Sequence, residues 1–237
     1  MCNEDALISF GKDVYGTWVK NARFIKENKQ IEGAVREAVD LVNDIIDYVF
    51  KLLGAQKEKA FEGRSAFSAM MMHVAMPLSY GIFCNMMIGN LPACYSQMRV
   101  ILEGLVKSLI ADVRFPEYPF FEPKLDSLER VLSEARFSFS KMCQLLMPAT
   151  VKKEDIDHIT ALWKDLSEKW VHARGVVKKI VDKLVEETRP PPWSIIIPVP
   201  YDKNDISDLQ EFAGYVKRLR KAVEALMNAW SLLFTST

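Results

Sequence analysis

Along most of this chain apolar residues return every three or four positions, the spacing of one face of an α-helix. Leu7, Phe10, Val14, Trp18 and Ile25 mark such a side and predict a first helix over about 4–27. The second, about 31–59, carries Val35, Ala38, Leu41, Val42, Ile45, Ile46, Val49, Leu52 and Leu53, which repeat at three and four and predict one broad buried face. The third covers about 64–87. Pro77 should kink or divide it, because proline lacks a donor and crowds the preceding turn. Asn90 has the chemistry of an N-cap for a fourth helix, with Pro92 in its first turn, running to about 113.

The pattern then breaks at FPEYPFFEP, residues 115–123, a Pro-aromatic connector. A fifth helix is expected over about 124–146, stopping before Pro148, and a sixth over about 153–187, loosened at Gly175. RPPPWSIIIPVPYDKND follows. Three consecutive prolines give extended polyproline backbone, while Pro198 and Pro200 exclude a central strand. We read residues 188–204 as an ordered strap across the bundle. The last helix, about 205–234, opens with acidic Asp205 and Asp208, which suits a helix N-terminus. The expectation is an all-α bundle of about seven helices, with a Pro-rich extended strap before the last, in one domain over 1–237.

One stretch departs from the ordinary alternation. Residues 65–98 read SAFSAMMMHVAMPLSYGIFCNMMIGNLPACYSQM, with no Asp, Glu, Lys or Arg between Arg64 and Arg99. A bilayer span needs about 20 predominantly apolar residues, and the run is long enough. It also carries His73, Ser65, Ser68, Ser79, Asn85 and Asn90, is weakened by Pro77 and Gly81, and lacks flanking Trp anchors. The expectation is therefore the central helix of a soluble bundle, covered nearly all round, with methionines filling irregular gaps. A Met-lined ligand pocket formed by Met70, Met71, Met76, Met86 and Met87 is the alternative for the same residues.

Composition narrows the classes. The chain has 237 residues, 49% hydrophobic and 26% charged, which is the balance of a folded domain. The 31 basic residues cancel the 31 acidic ones. No global basic field exists to attract DNA or an anionic membrane. Cys2, Cys84, Cys94 and Cys143 form no CxxC pair, so free thiols in a reducing compartment are expected, with no metal and no cofactor. The start, MCNEDALISF, lacks the basic region of a signal peptide, and the expected location is cytoplasmic.

Polar residues in apolar company are the remaining leads. Tyr95, Arg99, Glu103 and Lys107 recur every four positions and form one stripe on the fourth helix. Burying that stripe is costly unless its charges pair. A second cluster lies in LWKDLSEKWVHARG, where Glu168 and His172 share a face, with Ser167 and Arg174 near. Histidine is the side chain best suited to proton transfer near neutral pH. His158 and His172 lie 14 apart, about 21 Å along a helix axis, too far to share a metal. KRLRK, residues 217–221, reads as a solvated face rather than an RNA contact.

The Arg-x-x-x-Glu helix, followed some 60 to 70 residues later by Leu166-Ser167 and Val171-His172-Ala173, resembles uncharacterised prokaryotic helical proteins allied to the HEPN (higher eukaryotes and prokaryotes nucleotide-binding) superfamily. The similarity covers roughly residues 90–175. It implies that Arg99 and Glu103 face Ser167 and His172 across two packed helices, in a defence or toxin–antitoxin setting. HEPN ribonucleases carry an Arg followed four to six residues later by His. This chain has no such pair, which argues against metal-independent RNase activity.

The reading that results is a non-catalytic helical binding or interaction protein with Tyr95, Arg99, Glu103, Ser167 and His172 as its binding residues. An RNA-cleaving or nucleotide-acting enzyme using Arg99, Glu103 and His172 is the rival. A protein partner or self-association is expected, with RNA or a nucleotide as the alternative partner, and no membrane.

Overall fold

A computed structural model of the chain describes residues 4–55, 65–135, 138–146, 151–168 and 198–235. It is 88% helical and contains no strand among the described residues. The all-α bundle expected from periodicity is the architecture found.

Helix α1 spans Glu4–Glu27 and α2 spans Glu32–Ala55, joined through a 3-10 turn at Lys29–Ile31. Ala38, Leu41, Ile45 and Leu52 of α2 are fully buried at the predicted spacing, whereas Leu53, expected on the same face, is 38% exposed. Helix α3 covers Ala66–Met87. It is not divided at Pro77. A π-helical turn at Met71–Ala75 precedes the proline, and the Met76 N–H bonds back to the Met71 carbonyl. This wider turn accommodates the disruption that a proline imposes on the turn before it, and the helix continues to Met87.

Helix α4 is Leu91–Arg114, with the Asn90 side chain accepting from the Ala93 N–H and Pro92 in the first turn. The expected fifth helix is two: α5, Phe121–Ala135, and α6, Phe139–Gln144. Ser138 caps α6 by accepting from the Lys141 N–H. The Pro-aromatic connector ends earlier than expected, because α5 starts at Phe121 and takes Pro123 into its first turn. Helix α7 is Lys153–Leu166, and α8 is Ile206–Thr235. The extension expected to 187 lies outside the described residues, as does the strap before Pro198.

One hydrophobic cluster runs from Ile25 to Trp230. Its axis is α4, where Cys94, Tyr95, Met98, Ile101, Leu102, Leu105, Val106, Leu109 and Ile110 are all fully buried. This corrects the expectation that the uncharged run forms the covered central helix. Helix α3 is long and apolar enough to cross a membrane by length and composition, yet only 33% of its most apolar stretch is buried. Absence of charge did not translate into burial on all sides.

The described end of the strap, Pro198–Tyr201, docks where α1 meets the end of α3. The Asn21 amide of α1 donates to the Met87 carbonyl at 3.0 Å and the Val199 carbonyl at 3.1 Å. It accepts from the Tyr201 N–H at 2.7 Å. The Val199 N–H donates to Ile88 O and the Tyr201 hydroxyl to Met86 O. The strap and Asn21 thus supply donors for the carbonyls that a helix C-terminus leaves unpaired. Gly89 makes the approach possible. Its φ is +79°, and a Cβ there would collide with the Val199 carbonyl.

Candidate functional site

The polar stripe of α4 is held by three neighbouring helices. Arg99 lies over the Trp163 ring of α7, 5.2 Å from its centroid. Phe139 of α6 stacks on the same indole at 4.6 Å and 7°. Glu103 has both carboxylate oxygens engaged: Lys107 Nζ reaches one at 3.1 Å, and the Trp163 indole N–H donates to the other at 3.4 Å. Lys107 also pairs with Glu129 of α5 at 2.8 Å. Burial works to lower the Lys107 pKa, but the hydrogen bonds it donates to Glu129 and Glu103 outweigh it and the net shift is upward.

Arg99 is the poorly satisfied member. Its Nε is 3.8 Å from Glu103, beyond hydrogen-bond distance, and is buried with no hydrogen-bond partner among the described residues. Lys107 and the indole hold the carboxylate that would otherwise close on Arg99. The guanidinium side chain is 25% exposed, so part of it faces out of the protein.

The other expected members divide. Tyr95 precedes Arg99 by one turn but is fully buried, edge-on to Phe212 at 6.2 Å and Tyr215 at 5.4 Å of α8. Burial drives its phenol pKa upward. It belongs to the α4–α8 core contact. Ser167 is buried, and its hydroxyl donates to the Trp163 carbonyl at 2.7 Å. It follows the indole by one turn, and its hydroxyl is spent on its own helix. His172 lies outside the described residues. Helices α4 and α7 therefore do meet, but through Arg99, Glu103 and Trp163. Trp163, Phe139 and Glu129 were missed, although Trp163 stands one turn before Ser167 in the motif already singled out.

A buried network unforeseen in the sequence lies farther along α4. Asp112 is 2% exposed and accepts from Ser65 Oγ at 2.7 Å, Ala66 N–H at 2.9 Å, Phe67 N–H at 3.0 Å and Lys124 Nζ at 2.9 Å. The Trp230 indole N–H donates to Ser65 Oγ at 3.0 Å. The carboxylate caps the N-terminus of α3, where unpaired N–H groups and the helix dipole favour an anion. Its chemistry is consumed by structure.

The remaining leads resolve locally. Met71 and Met86 are fully buried and Met87 is 5% exposed, while Met70 fills the notch left by Gly104. KRLRK is tied down in part: Arg218 pairs with Asp165 at 2.8 Å, and Arg220 contacts Glu37, Asp40 and Asp44. His158 contacts the Arg218 carbonyl at 2.9 Å. No group of three potential metal ligands occurs among the described residues. No family model matches this chain, and no curated protein and no solved structure matches it significantly.

Proposed function

We propose that this chain is a non-catalytic, cytoplasmic helical binding protein whose recognition site is the Arg99–Glu103–Trp163 corner. The observation that carries the reading is the Arg99 guanidinium. It is fixed over an indole and partly exposed, and its buried Nε has no hydrogen-bond partner among the described residues while the neighbouring carboxylate is engaged by Lys107 and Trp163. A planar guanidinium in that state suits a carboxylate or phosphate oxygen presented by a partner. The indole already carries Phe139 and Arg99, so it supports contact with an anionic group better than stacking of a nucleobase.

Two features favour binding over catalysis. Glu103 has both oxygens occupied by donors, a poor state for a general base. Ser167 spends its hydroxyl on a backbone carbonyl. The HEPN-like resemblance and the defence setting belong to the same proposal and rest on the sequence motifs alone. Incubation with a mixed RNA pool, beside His172→Ala, tests the absence of catalysis. The pool should stay intact with both proteins. Cleavage that His172→Ala abolishes would contradict the reading.

A further inference from the structure

The charges beside Arg99 alternate in sign. The Glu103 carboxylate lies 3.8 Å from the Arg99 Nε and is fixed from two other directions, by Lys107 at 3.1 Å and by the Trp163 indole N–H at 3.4 Å. Lys107 is held in turn by Glu129 of α5 at 2.8 Å. Two cations and two carboxylates thus form a chain with no net charge. Arg99, Glu103 and Lys107 are all partly withdrawn from water, so solvent and salt screen their fields less than at an open surface.

Building on the reading of this corner as an anion site, we infer that Glu103 is its specificity-determining residue, and that the site takes a carboxylate of a protein partner rather than a phosphate. An anion bonded to the outward part of the Arg99 guanidinium stands within about 10 Å of Glu103, the Debye length at roughly 0.1 M salt. A carboxylate brings one negative charge, drawn by Arg99 and opposed by Glu103. A phosphoryl group brings about −1.5 to −2 near neutral pH. Its attraction to Arg99 and its repulsion by Glu103 grow together, while the cost of stripping its water grows faster than its charge. Phosphoryl sites meet that cost with clustered arginines. Here the next cation along the stripe, Lys107, is committed to two carboxylates. A nucleic-acid strand carries one charge per phosphate, but it is held by a basic groove and by aromatic platforms for its bases. The Trp163 indole is already stacked on Phe139 and lies under Arg99.

Binding to the full chain is read from the Trp163 indole N–H resonance at constant, low ionic strength. Acetyl-glutamyl methylamide presents a side-chain carboxylate and acetylglycine a chain-terminal one. Acetyl-phosphoseryl methylamide and dimethyl phosphate present the rival oxygens. Wild type should bind the better carboxylate probe about threefold more tightly than either phosphate probe, and the better of the two tells side chain from terminus. Glu103→Gln removes the charge and keeps an oxygen for the indole N–H. It should raise affinity for the phosphoseryl probe about tenfold, and affinity for the glutamyl probe by less. Arg99→Gln should abolish binding of every probe. A phosphate probe that binds wild type at least as tightly as the better carboxylate, or a phosphoseryl-to-glutamyl ratio unchanged in Glu103→Gln, would overturn the specificity and leave Arg99 as an anion site. The order in wild type decides the matter alone if Glu103→Gln fails to fold. No binding by any probe would overturn the Arg99 reading itself, and the specificity with it.

Discussion

Arg99 of α4 sits over the indole of Trp163 on α7, 5.2 Å from its centroid, and this contact joins two helices that are distant in sequence. A partly desolvated cation–π pair contributes about 0.5–2 kcal/mol. A double-mutant cycle with Arg99→Ala and Trp163→Leu should return a coupling energy in that range by urea denaturation. The cycle cancels the separate loss of the Phe139 stack. Strict additivity would show that the two side chains are merely near each other.

Asp112 should be among the most sensitive positions to substitution. It is buried with Lys124 and takes four hydrogen bonds. Asp112→Ala removes the carboxylate that Lys124 pairs with and the acceptor of the Ala66 and Phe67 N–H groups, and removing one member of a buried pair typically costs about 3–5 kcal/mol. Asp112→Asn keeps an acceptor oxygen and should cost less. Equal urea midpoints for wild type and Asp112→Ala would refute the capping role.

Asn21 should govern how firmly the strap is held. Its amide serves three backbone partners on two segments. Each buried group left unpaired costs about 1–3 kcal/mol, so Asn21→Ala should destabilise by at least that much. Amide hydrogen exchange at Val199 and Tyr201 should accelerate more than at Leu105 in the core. Uniform acceleration would mean that the strap unfolds only with the whole molecule.

Alkaline pH should weaken the fold. Burial pushes the Cys143 thiol up to about 12, partly opposed by a hydrogen bond from Thr160. Burial, with Asp44 and Glu224, pushes the Tyr48 phenol up to about 12. Both groups bind their protons more tightly folded than unfolded. Their contribution is fully present below their ordinary values, about 8.5 and 10, and is lost as pH rises through about 12. The urea midpoint should fall across this window, and less steeply in Cys143→Ala. A midpoint that rises with pH would have the wrong sign.

The sequence revealed helices better than it revealed neighbours. Asn90 with Pro92 marked the start of α4, and the apolar spacing in α2 marked its buried face. What failed was the step from composition to burial. The uncharged run around Met71 lies on the outside of the bundle along one side. The helix that carries Arg99, Glu103 and Lys107 is instead the covered one. A single stripe of charge along one edge does not prevent the rest of a helix from being wrapped, and that pattern resembles an ordinary amphipathic helix in one dimension. Pro77 did not divide the helix, because a π turn accommodated it.

The site was half legible for a related reason. Periodicity placed Arg99 and Glu103 on one edge, since that needs only local geometry. Trp163, Phe139 and Glu129 come from three other helices, and their convergence depends on packing angles that spacing does not encode. Tyr95 shared the stripe's period but turned into the core against Phe212 and Tyr215. Asp112 looked like one more charge near a helix end, because its partners Ser65 and Lys124 lie on separate segments.

The central claim is that Arg99 presents its guanidinium to an anionic group. The most direct measurement follows the side-chain Nε–H resonance of Arg99 and the indole N–H resonance of Trp163 by NMR, assigned with Arg99→Lys and Trp163→Phe. Glutarate and inorganic phosphate are titrated at constant ionic strength, with chloride as the control. Saturable shifts at both resonances with at least one of the two anions, and loss of the indole shift in Arg99→Gln, are the predicted result. Resonances that move no more with glutarate or phosphate than with chloride would contradict the account.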